Sequence, residues 1–255
     1  MGTISHIPLL HHQRAIYHLP RGRDRFTHYL GLIRDGSGDL ALPLPAFNPM
    51  GRDQVAATLD MLIALGAEAL AAEALASVVG RLGPIAGDYR LGLVVVDDLG
   101  GGWTSRPLSE FDHKFRNQAL RKRGWLVAPI WTSEPVSSDS VRLEVAATAW
   151  RGATLSVEGE PRTLRAILDR EARLAEFLDA SPPEPPDGDE LGYTLEVLAP
   201  YLEAEDLPTQ VAALHGDDAA RGLGFEPLGL EARAGYRLAW SRRGRELLVS
   251  GCSGG

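Results

Sequence analysis

Tyr89-Arg90-Leu91-Gly92-Leu93-Val94-Val95-Val96 is a β-branched run, too short and too continuously apolar for an amphipathic surface helix. It reads as a strand covered on both faces. Asp97 and Asp98 end it, Gly100-Gly101-Gly102 loosens the chain, and Trp103-Thr104-Ser105-Arg106-Pro107 leads into a polar stretch, 108–123. That stretch carries Phe111, Phe115 and Leu120 at helical spacing, with Ser109 as a candidate cap and Asp112 three positions on. A second apolar run, Trp125-Leu126-Val127-Ala128-Pro129-Ile130, closes on a look-alike joint, Trp131-Thr132-Ser133-Glu134-Pro135. Strand, helix, strand over a connection of this length predicts a parallel βαβ unit with a right-handed crossover. Both joints then fall on one edge, where strands end and helices begin, and open α/β sheets bind ligands at that edge.

Outward from this centre, 14–19 and 25–34 alternate loosely and are rich in aromatic or β-branched residues, so strands are expected there. Asp35-Gly36-Ser37-Gly38 then turns the chain into a third expected strand, 39–44. The expected fold class is α/β or α+β: a mixed sheet with N-terminal antiparallel strands, a central parallel βαβ unit and a helical C-terminal region. Val55, Leu59, Leu62, Leu65, Ala69 and Ala72 mark one long Ala-rich helix reaching Val79. Helix is favoured over a β-rich segment for 138–150, a short strand is expected at 154–157, and 162–178 reads as an amphipathic helix.

Ser181-Pro182-Pro183-Glu184-Pro185-Pro186-Asp187-Gly188-Asp189 is a stiff polar break. It divides an expected main domain, 1–180, from a C-terminal subdomain, 189–255, with 181–188 as the linker. The subdomain shows helical patterns at 191–202 and 208–223, then an expected hairpin from 236–241 and 246–250. Two helices and a hairpin outline a winged helix. Asp217 and Asp218, however, stand where a recognition helix would meet phosphates, so a helical cap with a β edge fits better.

The formal charge of −8 and a pI near 5.4 repel a nucleic-acid backbone unless a local surface is basic. Cys252 is the sole cysteine, which excludes an intrachain disulfide and a cysteine-rich zinc site and suits a reducing compartment. Residues 1–14 lack the pattern of a secretory signal, and no run approaches the roughly 20 apolar residues of a membrane span, so a cytoplasmic protein is expected. Arginine far outnumbers lysine, a bias that fits a GC-rich bacterial genome. The G-x-x-x-x-G-K-[ST], G-x-G-x-x-G and G-x-S-x-G signatures are all missing, which removes the main support for P-loop, dinucleotide-binding and α/β-hydrolase readings.

Two functional classes lead, with nucleic-acid binding through the Arg-rich loops a less favoured third. In the first, an enzyme acts on a small anionic substrate at the strand-end edge with a divalent metal such as magnesium. Asp97, Asp98 and Asp112 hold the cation, His113 and Asp98 carry the proton chemistry, Arg106 and Arg116 neutralise the substrate, and Trp103 and Trp131 stack on its planar part. The plainer reading of the same residues is loop-capping aspartates, a solvated helix face and anchoring tryptophans. In the second class the edge binds a small ligand without turnover, or the Ala-rich face of 51–79 packs between subunits of a homo-oligomer. His18 and His28, with His11 or His12, have no fixed ligand spacing for a metal. Arg21-Gly22-Arg23-Asp24-Arg25 is a basic turn fit for phosphate or carboxylate, or for ion pairing within an acidic protein.

Overall fold

The computed structural model describes residues 2–99, 104–182, 186–242 and 244–246. The chain divides into two compact units, Met1–Gly159 and Glu160–Gly255. The first is built on a three-stranded parallel sheet: β1 (Ile4–His6), β2 (Tyr89–Val96) and β3 (Trp125–Trp131), with β2 in the middle. Along β2 and β3 the pairing runs from Arg90 opposite Trp125 to Val96 opposite Trp131, both strands pointing the same way. The parallel βαβ unit is therefore present, and both joints leave the carboxyl edge of the sheet.

Leu91, Leu93, Val94, Val95 and Val96 are fully buried, as a strand covered on both faces requires. Leu126 reaches Gly152 on α7 (Ser138–Glu158), where a side chain would meet its methyls at 2.5 Å. Gly92, pointing the opposite way, faces Leu9 beside α1 (Leu10–Ile16), which packs with α3 (Asp53–Leu65) against β2. Helices thus cover both faces. Trp125 is buried under the Arg90 guanidinium, 4.1 Å from the ring centroid, and its indole N–H finds no acceptor among the described residues. Trp125→Phe removes that unpaired donor at the expense of a small void, so urea denaturation is expected to show a loss below about 1.5 kcal/mol.

The antiparallel N-terminal strands expected from the sequence do not form. Residues 14–19 run out of α1, and 25–33 lie in α2 (Arg23–Ile33); of the hairpin only one antiparallel bridge, Arg34 to Leu40, remains. Arg25, Tyr29 and Ile33 are buried at four-residue intervals, a helical stripe that outweighs the loose alternation. The turn itself survives, because the Asp35 carboxylate accepts from the amides of Ser37 and Asp39.

The long Ala-rich helix is two helices, α3 and α4 (Ala67–Val79), bent by 63° at Gly66. Gly66 takes φ 72° and ψ 34°, and its amide closes α3 on the Leu62 and Ile63 carbonyls, a left-handed stop that glycine adopts without strain. Glu68, in the first turn of α4, accepts from the Leu9 and Leu10 amides at 2.8 and 2.7 Å and so caps α1 from another element. His6 lies 2.8 Å from the other oxygen of Glu68.

The connection between β2 and β3 is α5 (Arg106–Phe111), a π-helical turn (Asp112–Arg116) and α6 (Gln118–Arg121). It starts at Ser105 rather than Ser109, with Pro107 in its first turn, and Asn117 breaks it at φ 35°. The segment 154–157, expected as a strand, continues α7, which Ser137 opens through a capping box with Ser140.

The second unit is helical: α8 (Leu164–Leu178), α9 (Gly188–Leu198), α10 (Leu207–His215), α11 (Asp217–Gly222) and α12 (Ala234–Trp240). Thr163, Asp187 and Asp206 cap α8, α9 and α10. The expected hairpin is corrected at its first arm, because 236–241 lies in and just after α12; its second arm, beyond 246, falls outside the described residues. Gly235 lets α12 lie against α10, since a Cβ there would stand 2.5 Å from the Ala213 carbonyl. Among the described residues no single helix is long and apolar enough to cross a membrane.

Candidate functional site

At the carboxyl edge, β2 delivers Asp97 and Asp98 side by side, and each is saturated by donors from within the first unit. Asp97, 6 % exposed, accepts from Asn48 Nδ2 at 2.8 Å, Gln54 Nε2 at 3.2 Å and Thr132 Oγ1 at 3.1 Å. Asp98 accepts from the Ser133 amide at 2.9 Å and Ser133 Oγ at 2.5 Å, pairs with Arg106 at 3.1 Å, and shares with Asp97 the single proton of Thr132 Oγ1, 3.1 Å away. Thr104 Oγ1 donates to the Asp97 carbonyl at 2.6 Å. The shared threonines of the two joints, Thr104 and Thr132, thus close the end of β2 as hydrogen-bond donors.

Arg106 also reaches Ser133 at 2.8 Å, Glu110 at 3.5 Å and Glu134, and its guanidinium lies 4.9 Å from the Trp131 ring centroid. Burial works against its charge, but the bond to Glu134 and the fields of Glu110 and Asp98 outweigh it and leave the pKa raised. Trp131 is buried with Arg106 on its face. Trp103 lies outside the described residues.

Asp112 is exposed on the π turn. His113 is part-buried and shares a 3.3 Å contact with Asn117; burial pushes its pKa down, against the fields of Asp112 and Glu110. Lys114 pairs with the buried Glu110, and Arg116 stacks on Phe111 at 5.0 Å. On α7, burial raises the Glu144 pKa, opposed by Arg151, Lys114 and the Thr148 hydroxyl. Among the described residues no group of three or more His, Cys, Asp or Glu could hold a metal ion, so Asp97, Asp98 and Asp112 do not gather at one point. The histidines at 11, 12, 18 and 28 form no such group either.

A cleft of about 400 Å³ opens beside Asp97 and its partners, lined by Arg14, Tyr17, Arg21, Arg25, Arg52 and Asp53, with Gly51 and Ala56. Arg14 is taken by Asp60 through two hydrogen bonds, at 2.7 and 3.2 Å. Arg25, 8 % exposed, donates Nε to the Leu19 carbonyl at 2.7 Å and lies 4.6 Å from the Tyr17 ring centroid. Among the described residues no carboxylate pairs with Arg21, Arg25 or Arg52. Arg52 precedes α3, whose first turn has no side-chain cap.

The wall of the cleft is tied to the sheet edge. Tyr17 Oη donates to the Asn48 carbonyl at 2.5 Å, and burial raises its pKa against the field of Arg25, keeping the hydroxyl protonated. Asn48 and Gln54 then carry the connection to Asp97. Gly51 permits the tight approach, for a Cβ there would stand 2.6 Å from Tyr17 Oη. Sequence reading singled out the basic turn but gave no sign of the contacts that Asn48 and Gln54 make with Asp97, or of the place of Arg52 in the cleft. A single polar residue at a helix start carries no local sign of the carboxylate it will meet some forty positions later.

No protein family model, curated protein or solved structure matches the chain.

Proposed function

We propose that the protein binds a small anionic ligand in the arginine-lined cleft beside the carboxyl edge of its sheet. Arg25 carries the reading. Among the described residues Arg25, 8 % exposed, meets only the Leu19 carbonyl and the Tyr17 ring and no carboxylate, and a bound anion would balance its charge through charge-assisted hydrogen bonds. Arg21 and Arg52 add two more cations to the same walls, and the volume lies in the ordinary range for small-molecule sites.

Binding fits the observations better than the metal-assisted scheme. Asp97 and Asp98 are engaged by internal donors, and Asp112 stands apart from any ligand group among the described residues.

Thermal denaturation with inorganic phosphate, sulfate and succinate tests the reading. Binding to the native state raises the midpoint with concentration, by about 2.7 kcal/mol of stabilisation at a hundredfold excess over Kd. Arg21→Gln and Arg52→Gln, both at exposed positions, are expected to fold normally and to weaken the response. A midpoint unmoved by all three anions overturns the reading.

A further inference from the structure

We infer that the ligand is a small phosphomonoester, held by its dianionic phosphoryl group; this deepens the anion-binding reading and rests on it. Charge is the first ground. With Arg14 neutralised by Asp60, the cleft keeps the guanidiniums of Arg21, Arg25 and Arg52 against the single carboxylate of Asp53, which leaves two net positive charges. In a chain of formal charge −8 that is a local reversal of sign.

Direction is the second ground. The donors arrive from three places: the connection after α1 brings Arg21, the first turn of α2 brings Arg25, and the chain entering α3 brings Arg52. A carboxylate presents its lone pairs in one plane, and a single arginine fork satisfies it. A phosphoryl group presents three oxygens in tetrahedral directions, which suits donors drawn from separate elements around one cleft. The uncapped start of α3, thirteen residues long, adds the positive end of a helix on the side of Arg52.

Size is the third ground. About 400 Å³ exceeds what an inorganic anion fills, and Tyr17 and Ala56 line the remainder with carbon. An organic group attached through an ester oxygen would occupy that space. Arg25 keeps one face of Tyr17 covered, so the aromatic ring serves as a wall.

Isothermal titration of the full chain with glycerol phosphate, inorganic phosphate, sulfate and succinate, at pH about 7.5 and about 5, tests the assignment. A phosphomonoester loses its second charge near pH 6, whereas sulfate stays dianionic and so controls for any change in the protein's own charge. Glycerol phosphate is expected to bind at least about tenfold more tightly than succinate and to weaken several-fold at the lower pH while sulfate does not. Arg21→Gln and Arg52→Gln should each weaken glycerol phosphate by about tenfold. Succinate binding as tightly as glycerol phosphate, or sulfate and glycerol phosphate weakening in parallel, overturns the phosphoryl assignment and leaves the anion reading standing. Absence of binding by all four overturns both.

Discussion

Gln13→Met is expected to destabilise the sheet-bearing unit by about 2–5 kcal/mol in urea denaturation, although the substitution keeps the side chain's length and approximate volume. β1 pairs with β2 over only three residues, Ile4 to His6 opposite Tyr89 to Leu91. Beyond that point β2 continues to Val96, and among the described residues no strand pairs with that edge. Gln13, fully buried on α1, fills the gap: its Nε2 donates to the Leu93 carbonyl and its Oε1 accepts from the Val95 amide, both at 2.8 Å. The side-chain amide thus stands in for the peptide group that a longer β1 would supply. Methionine preserves the packing and leaves one buried acceptor and one buried donor unpaired, each worth about 1–3 kcal/mol. A loss below about 1 kcal/mol would mean that water or a shift of β1 satisfies those groups, and would sink this account.

Asp97→Ala is expected to lower stability by about 3 kcal/mol and to loosen the cleft at the same time. The carboxylate gathers Asn48, Gln54 and Thr132 from three separate segments, and its removal leaves the buried Asn48 amide without an acceptor. Asp97→Asn keeps one acceptor oxygen and should lose less. Because Asn48 also receives the Tyr17 hydroxyl, anion affinity should fall several-fold in Asp97→Ala, even though Asp97 does not line the cleft. Titration calorimetry alongside denaturation separates the two effects. Unchanged affinity in a destabilised variant refutes the link between edge and cleft. Magnesium, manganese and zinc are expected to leave the wild-type melting temperature unmoved; a rise that Asp97→Ala abolishes would restore the metal-assisted scheme.

The centre of the fold was legible because β2 and β3 are continuous apolar runs on either side of a polar, helically spaced connection, and few arrangements bury such runs. The N-terminal third was misread for a specific reason. Its aromatic and β-branched residues mimic strand composition, but Arg25, Tyr29 and Ile33 recur at four, and an arginine on the buried stripe hides the helical period from an apolar count. In 234–240 the alternation of Tyr236, Leu238 and Trp240 imitates a strand, while Gly235 is present because α12 lies tightly against α10. At the strand-end edge, the two aspartates and Arg106 do meet, as donors and acceptors to one another and to Ser133. Among the described residues Asp112 and Arg116 make no hydrogen bond or ion pair with them, because the π turn carries the first to solvent and sets the second on Phe111.

The local chemistry of the chain was sufficient for the parallel crossing and the placement of both aspartates at the carboxyl edge, since each depends on neighbours within a few residues or on the burial of a continuous run. Tertiary structure alone decided that Gln13 completes β2, that Glu68 caps α1, and that Arg52 comes to share a cleft with Arg21 and Arg25. These are polar contacts between segments tens of residues apart. Their strength depends on direction and on exclusion of water, and neither has a signature in the order of the amino acids.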